Sequence, residues 1–305
     1  MNDFAHLSSQ AAITHWSWTI AFFLWFAGIS GMGILAYYWV RRRAMAYMCL
    51  ITAVVGTLLV ASHLTRWWNL PAALFHTLMN FSFNFGSWML LGILLLCVHC
   101  VFAGLIAAHH FGISQRWPQF KWLGWIDQLA NDSRVLIAAA AVGVLVTIYS
   151  GFLLTQAIGV PLWNTALIPA LWVVSAGAAV LAVIELFSLK GWVDHSVAAL
   201  GQKLALGVES FKLIMVFAFL HVGMSAASAG ARAGAAELAN GALAPMMWIG
   251  VIGLGVLVPI GVGLLSIKGK ASHTMVAAAA VLGLLGGLLL RAAVLLAGFY
   301  DPLVL

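Results

Sequence analysis

The sequence predicts an all-α integral membrane protein of eight transmembrane helices, read as two four-helix bundles with both termini periplasmic. Three observations carry that prediction. Only 7% of the 305 residues are charged while 64% are hydrophobic, and the mean hydropathy of +1.07 exceeds what a water-soluble core of this size can hide. The apolar residues fall in eight long runs, each able to span a hydrocarbon layer of about 30 Å. The basic residues collect in alternate loops.

In hydrocarbon every backbone N–H and C=O must pair within the chain, and runs rich in Leu, Ala and Gly achieve this as helices. The short alternating segments that a barrel needs are absent. The net charge of +6 does not point to nucleic acid, because the basic residues stand at the ends of apolar runs, where they set topology.

In order along the sequence the runs are Trp16 to Val40, Ala44 to Leu64, Phe83 to His110, Val135 to Thr155, Ala166 to Leu189, Leu204 to Ser228, Pro245 to Ser266 and Thr274 to Phe299. Ten basic residues lie in the alternate loops: Arg41, Arg42, Arg43, Arg116, Lys121, Arg134, Lys190, Lys203, Lys268 and Lys270. The opposite side carries Arg66 and Arg232, so the positive-inside rule makes the first set cytoplasmic. The chain thus reads as one membrane domain, 1–305, of the bacterial inner membrane, with a cytoplasmic loop at 111–134 and periplasmic loops at 65–83 and 229–244. Residues 1–15 lack the basic start and small-residue cleavage site of a signal peptide, so the first helix is expected to stay in the mature protein.

Within the cytoplasmic loop, Trp117, Phe120, Trp125 and Leu129 share a helical face, as expected of a helix lying in the headgroup plane. Trp67, Trp68 and Pro71 mark a short interfacial helix in the first outer loop. The Ala/Gly-rich stretch from Ala226 to Ala242 is expected to be a mobile outer loop.

Cys49, Cys97 and Cys100 all lie in apolar runs, and the C-x-x-C at Cys97 has no second pair to complete a zinc or iron–sulfur site, so no metal site is expected. A haem held by two histidines needs them at one depth on different helices, whereas His99 and His221 differ by roughly 13 Å. His109, His110 and His273 sit at the cytoplasmic boundary, where a haem would be poorly buried, so no haem is expected either.

Ionisable residues inside a membrane are functional candidates by default. Glu185, Glu209 and Lys212 fall in the cytoplasmic half and form a candidate proton pathway; Glu209 and Lys212, three residues apart, are also spaced for a local ion pair. Tyr149 and Arg291 fall toward the outside, with His15, His63 and Arg66 near the outer boundary. Arg291 cannot shed its proton and requires a polar setting.

Several stretches, among them His63-Leu64-Thr65-Arg66, Phe85-Gly86-Ser87-Trp88-Met89 and Tyr149-Ser150-Gly151-Phe152-Leu153-Leu154, taken in their order along the chain, resemble those of the NrfD family, the membrane subunits of polysulfide, nitrite and related reductases. His63-Leu64-Thr65-Arg66 and then Phe85-Gly86-Ser87-Trp88-Met89 are similar to the family's Arg-containing loop and helix start. Tyr149-Ser150-Gly151-Phe152-Leu153-Leu154 resembles its Tyr-x-Gly-x-x-Leu segment. Pro161-Leu162-Trp163-Asn164, Ser175-Ala176-Gly177-Ala178-Ala179, and Leu290-Arg291 with Ala297-Gly298 resemble the segments that follow. Two departures stand out: Ile20 and Leu24 where some relatives place polar residues on the first helix, and Phe299 where Gln often follows Ala-Gly.

The resemblance implies a quinol- or quinone-reactive membrane subunit of a respiratory oxidoreductase of the polysulfide, thiosulfate, tetrathionate or nitrite reductase type. It implies menaquinone or ubiquinone near Tyr149, Arg66, His63, Arg291 and His15, with no haem or iron–sulfur cluster and no substrate-reducing catalytic residue in this chain. The implied partners are a ferredoxin-like, four-cluster iron–sulfur subunit at the periplasmic face and a catalytic molybdopterin or multihaem subunit, besides membrane lipids. Two rival readings remain open here: a secondary transporter, for which buried Glu and Lys and abundant Gly also suit, and a purely structural anchor.

Overall fold

A computed structural model describes residues 13, 14, 16, 18–63, 67–81, 84, 86–116 and 118–301. Among these, eight helices are long and apolar enough to cross a membrane. The crossings are α1 (Trp18–Val40), α2 (Arg43–Ser62), α4 (Trp88–Phe111), α7 (Ser133–Thr155), α8 (Leu167–Leu189), α9 (His195–Met224), a π-helical stretch Met246–Leu257 that runs into α11 (Val258–Ile267), and α12 (His273–Leu296). Four short helices lie between crossings: α3 (Leu70–Met79), α5 (Ile113–Arg116), α6 (Gly124–Asn131) and α10 (Ala229–Ala239).

Local chemistry sets the ends. Ser87 accepts from the Leu90 N–H at the start of α4, and Gly112, at φ 69°, closes that helix in the left-handed region that glycine tolerates best. Asp132 and Ser272 cap α7 and α12 in the same way as Ser87. Arg41 carries φ 48°, so α1 turns into α2 within two residues and the helices run antiparallel.

Packing closes two cycles. In one, α1 meets α2, α2 meets α4, α4 meets α7 and α7 returns to α1; in the other, α8 meets α9, α9 meets α11, α11 and the π stretch meet α12, and α12 returns to α8. Contacts of α8 with α1 and α7, and of α12 with α1, join the cycles. Closest approach is made by glycine on glycine: a Cβ on Gly31 would strike the Gly143 carbonyl, and one on Gly255 the Gly286 backbone. Near both termini, Ile13 pairs with Phe299, the Thr14 N–H donates to the Gly298 carbonyl at 3.0 Å, and Trp163 Nε1 donates to the Val294 carbonyl at 2.8 Å. The first and last described residues therefore lie on one face, the terminal face, and the α1–α2 turn lies on the other, the basic face.

Three expectations change. The stretch Ala226 to Ala242 is not a loop: Ser228 caps α10, and Asp301 accepts from Ser228 Oγ and the Gly230 N–H at 2.7 Å each, which pins α10 to the end of the chain. Those two donors hold the Asp301 carboxyl below its ordinary range. The sixth crossing starts at His195 rather than Leu204, giving 30 residues or about 45 Å, so Lys203 is helical and the helix outruns the apolar layer. In the segment 111–134, Phe120 interrupts the helical path, so the expected aromatic face is shared between a 3-10 turn, Pro118–Leu123, and α6, with Trp117 outside the described residues. The helix expected after Trp67 is present as α3.

Candidate functional site

Two polar loci in the apolar interior hold four of the expected site residues, Tyr149 in one and Glu185, Glu209 and Lys212 in the other. The first is near the terminal face. Tyr149, one and a half turns from the end of α7, donates its hydroxyl to the Trp88 carbonyl in the first turn of α4 at 2.6 Å. Its ring stacks on Trp88 with centroids 6.4 Å apart, and Trp88 stacks on Phe152 at 6.0 Å. Tyr149 is buried, whereas Trp88 and Phe152 remain 38% and 40% exposed, which leaves an aromatic shelf beside the phenol oxygen. Gly92, one turn after Trp88, makes room: any Cβ there would strike the Tyr149 hydroxyl. Nothing in the sequence pattern singled out Gly92, because a glycine in an apolar helix is ordinarily a packing residue. The phenol's hydrogen is committed to Trp88, and its oxygen keeps acceptor capacity.

The second locus lies in the other cycle, toward the basic face. Lys212 Nζ stands 2.6 Å from Glu209 Oε2, with relative exposures of 1% and 5%, so the spacing does produce an ion pair inside hydrocarbon. Lys212 also donates to the Gly255 carbonyl at 3.4 Å. That carbonyl lies in the π stretch, where the Val258 N–H reaches back five residues to Gly253, and Pro259, four residues after Gly255, has no N–H to offer.

Glu209 and Glu185 line one small cavity of about 30 Å³, room for about two waters. Glu185, Gln202 and Ser266 also line a cavity of about 180 Å³ that continues to His195 and His273 at the basic-face ends of α9 and α12. Ser266 donates to Gln202 Oε1 at 2.9 Å, and Ser188 bonds His195 Nδ1 at 3.1 Å. Glu185 thus stands on the wall common to both spaces. Gln202 and His195 look like loop residues until α9 is seen to begin at His195, and Ser266 like the polar end of an apolar run.

Arg291 joins neither locus. It is buried between α12, α8 and α1, donating to Ser175 Oγ at 3.0 Å, the Gly287 carbonyl at 2.8 Å and the Trp172 carbonyl at 3.4 Å, with its charge 5.2 Å from the Trp172 ring centre. Backbone carbonyls and a π face therefore carry this cation. Its expected polar setting is present; no bond links it to Tyr149. His63 ends α2 as an exposed residue. Arg66 and His15 lie outside the described residues. His99 is buried with Nε2 at 2.7 Å from Ser30 Oγ, whose hydroxyl also reaches the Cys49 carbonyl, an arrangement that ties α4 to the α1–α2 hairpin. Among the described residues no three His, Cys, Asp or Glu side chains stand together as a metal site would need.

Comparison with known proteins places nearly the whole chain in a family. The chain matches the family model described as Polysulphide reductase, NrfD over residues 7–301. It is 29% identical to Protein NrfD of Escherichia coli (strain K12), the match covering 93% of this chain and 94% of that protein. It is also 29% identical to the C subunit of the polysulfide reductase of Wolinella succinogenes, with 93% and 94% covered. A Protein NrfD homolog of Haemophilus influenzae is 24% identical over the same shares. The resemblance read from the Tyr149 segment and its companions is thereby borne out.

Proposed function

Since the chain belongs to the NrfD polysulphide-reductase family and is a multi-pass inner-membrane protein, we propose that it is the quinone-reactive membrane subunit of a respiratory oxidoreductase. That it is a membrane subunit of a reductase-type complex follows from the family. In this proposal the two packing cycles are two four-helix bundles, both termini are periplasmic, and menaquinone or ubiquinone exchanges electrons near Tyr149. An iron–sulfur, ferredoxin-like four-cluster subunit docks on the periplasmic face and passes the electrons to or from a catalytic molybdopterin or multihaem subunit.

The observation that supports this most is the aromatic shelf. Trp88 and Phe152 offer partly exposed rings, and Tyr149 places a neutral hydroxyl beside them. A planar ring with carbonyl oxygens fits such a surface. The quinone supplies a two-electron, two-proton couple. Tyr149 orients a carbonyl oxygen by turning its O–H from Trp88 toward it, and as a neutral donor it stabilises developing negative charge without changing its own. Arg66, His63 and His15 complete the polar rim in this proposal, and Arg291 sets the positive potential behind it. Glu185, Glu209 and Lys212 form a proton route from the cytoplasm, by way of the His195 and His273 cavity.

The test is quinol oxidation by the complex purified from membranes, with co-eluting subunits and extracted quinone identified by mass spectrometry. Tyr149→Phe is expected to lower quinol-linked turnover about 10- to 100-fold while the complex still assembles. A protein that purifies without quinone or an iron–sulfur partner, or a Tyr149→Phe complex with full turnover, overturns the reading.

A further inference from the structure

On the basic face an open cavity of about 900 Å³ lies between the α1–α2 turn, the end of α4 and the segment that follows α8. Its rim is cationic. Arg41, Arg42 and Arg43 follow one another there, and His110, bonded to the Tyr37 hydroxyl at 2.7 Å, stands on the same rim. Asp194, whose carboxylate oxygens lie 2.6 and 2.7 Å from Arg42 Nη2, neutralises that arginine alone. Arg41 commits only Nε, to the Tyr38 carbonyl at 3.1 Å, and Arg43 finds no carboxylate among the described residues. The α2 helix begins at Arg43 with its first turn uncapped by Arg42, so the positive end of its dipole opens onto the same space.

Below the rim the wall turns apolar. Met48 and Ile51 of α2 line it together with Trp192, and Ile51 lies eight residues beyond Arg43, about 12 Å deeper along the helix axis. A cationic mouth thus leads onto a greasy slot that opens sideways: Ile51 is 60% and Trp192 55% exposed.

We infer that this cavity binds one acidic phospholipid of the leaflet on the basic face, its phosphodiester held by Arg41, Arg43 and the first turn of α2, and an acyl chain laid along Met48, Ile51 and Trp192. Guanidinium forks and free helix N–H groups match phosphate oxygens in geometry and charge. A soluble phosphate has no use for the apolar wall. A zwitterionic lipid brings a cation into a mouth that already holds more positive charge than its one carboxylate can balance. Basic pockets between transmembrane helices on the cytoplasmic side are where such head groups are recognised.

Native mass spectrometry of the full-length protein, purified in detergent with the subunits it carries and offered equal amounts of phosphatidylglycerol and phosphatidylcholine, tests the site. One phosphatidylglycerol is expected to be retained over phosphatidylcholine by about tenfold or more. The Arg41→Gln/Arg43→Gln variant falls to parity, while Lys268→Gln/Lys270→Gln, on the same face but away from the cavity, keeps the preference. Equal retention of the two lipids by the unaltered protein overturns the inference and needs no variant to fold. Equal loss of preference in both double variants overturns it as well, since the selectivity then belongs to the whole face.

Discussion

Tyr149 and the Glu209–Lys212 pair are both polar groups buried among apolar helices, but their partners differ in kind. Tyr149 gives a neutral hydroxyl to one backbone carbonyl and sits behind two half-exposed rings. Glu209 and Lys212 are a pair of opposite charges buried among helices, with small cavities leading from Glu209 past Glu185 toward the basic face. A neutral donor can change partners at the cost of about one hydrogen bond, which suits a position that must take and release a ligand. A buried ion pair cannot lose either member cheaply, and that suits a position that must hold charge neutrality while a neighbouring group gains and loses a proton.

The largest expected effect splits the pair. Lys212→Met leaves Glu209 without its cation and is expected to cost about 3–5 kcal/mol of stability, read by thermal unfolding in detergent, with Glu209→Gln/Lys212→Met recovering most of it. A single variant as stable as the parent would show that water reaches the pair freely, and the contrast with Tyr149 would collapse. Next comes Gly92→Ala, whose methyl strikes the Tyr149 ring and hydroxyl; a loss of about 1–3 kcal/mol is expected, together with quinol turnover. Tyr149→Phe removes only the bond to Trp88, about 1 kcal/mol, so its deficit should appear in turnover and hardly in the Tm. That separation of activity from stability is what the Lys212 variant should lack.

The smallest effect lies outside both loci and calibrates them. Asp127, on α6, accepts from the Ser114 hydroxyl at 2.6 Å and stands 2.7 Å from His109 Nδ1; the Ser114 bond first, and then the His109 bond, hold its carboxyl below the usual range. Because the folded carboxyl is the stronger acid, its contribution is complete above the unfolded pKa of about 3.9 and is lost as pH falls through the lower folded value. Asp127→Asn should therefore lower stability by under about 1 kcal/mol near neutral pH, and the Tm gap to the parent should close as the pH drops below about 4.

Much of this was legible from residue order. Eight crossings, the α3 interfacial helix, the family motifs and the short list of intramembrane charges follow from apolar run length and from the rarity of ionisable groups in hydrocarbon, both of which are one-dimensional signals. The Glu209–Lys212 pair was legible because three residues on a helix is a local distance. Other features were not. The length of α9 was hidden because its first turns are polar enough to resemble a loop, and α10 was hidden because Ala and Gly are equally at home in a helix and in a loop until Asp301, 71 positions from Gly230, pins the segment down.

By itself the sequence determined the solvent of this protein, its number of crossings, its family and which rare polar side chains had to be accommodated. Tertiary structure alone decided what each of them meets. It turned the Tyr149 hydroxyl onto Trp88 across 61 positions, made Gly92 indispensable to that ring, set Lys212 on the Gly255 carbonyl of the π stretch, and gave Arg291 carbonyls and a tryptophan face in place of a carboxylate. The physical reason is that hydropathy and helical spacing act within one element, whereas the partner of a buried polar group is chosen by which helices pack together, and in this protein glycine-on-glycine approaches between distant segments make that choice.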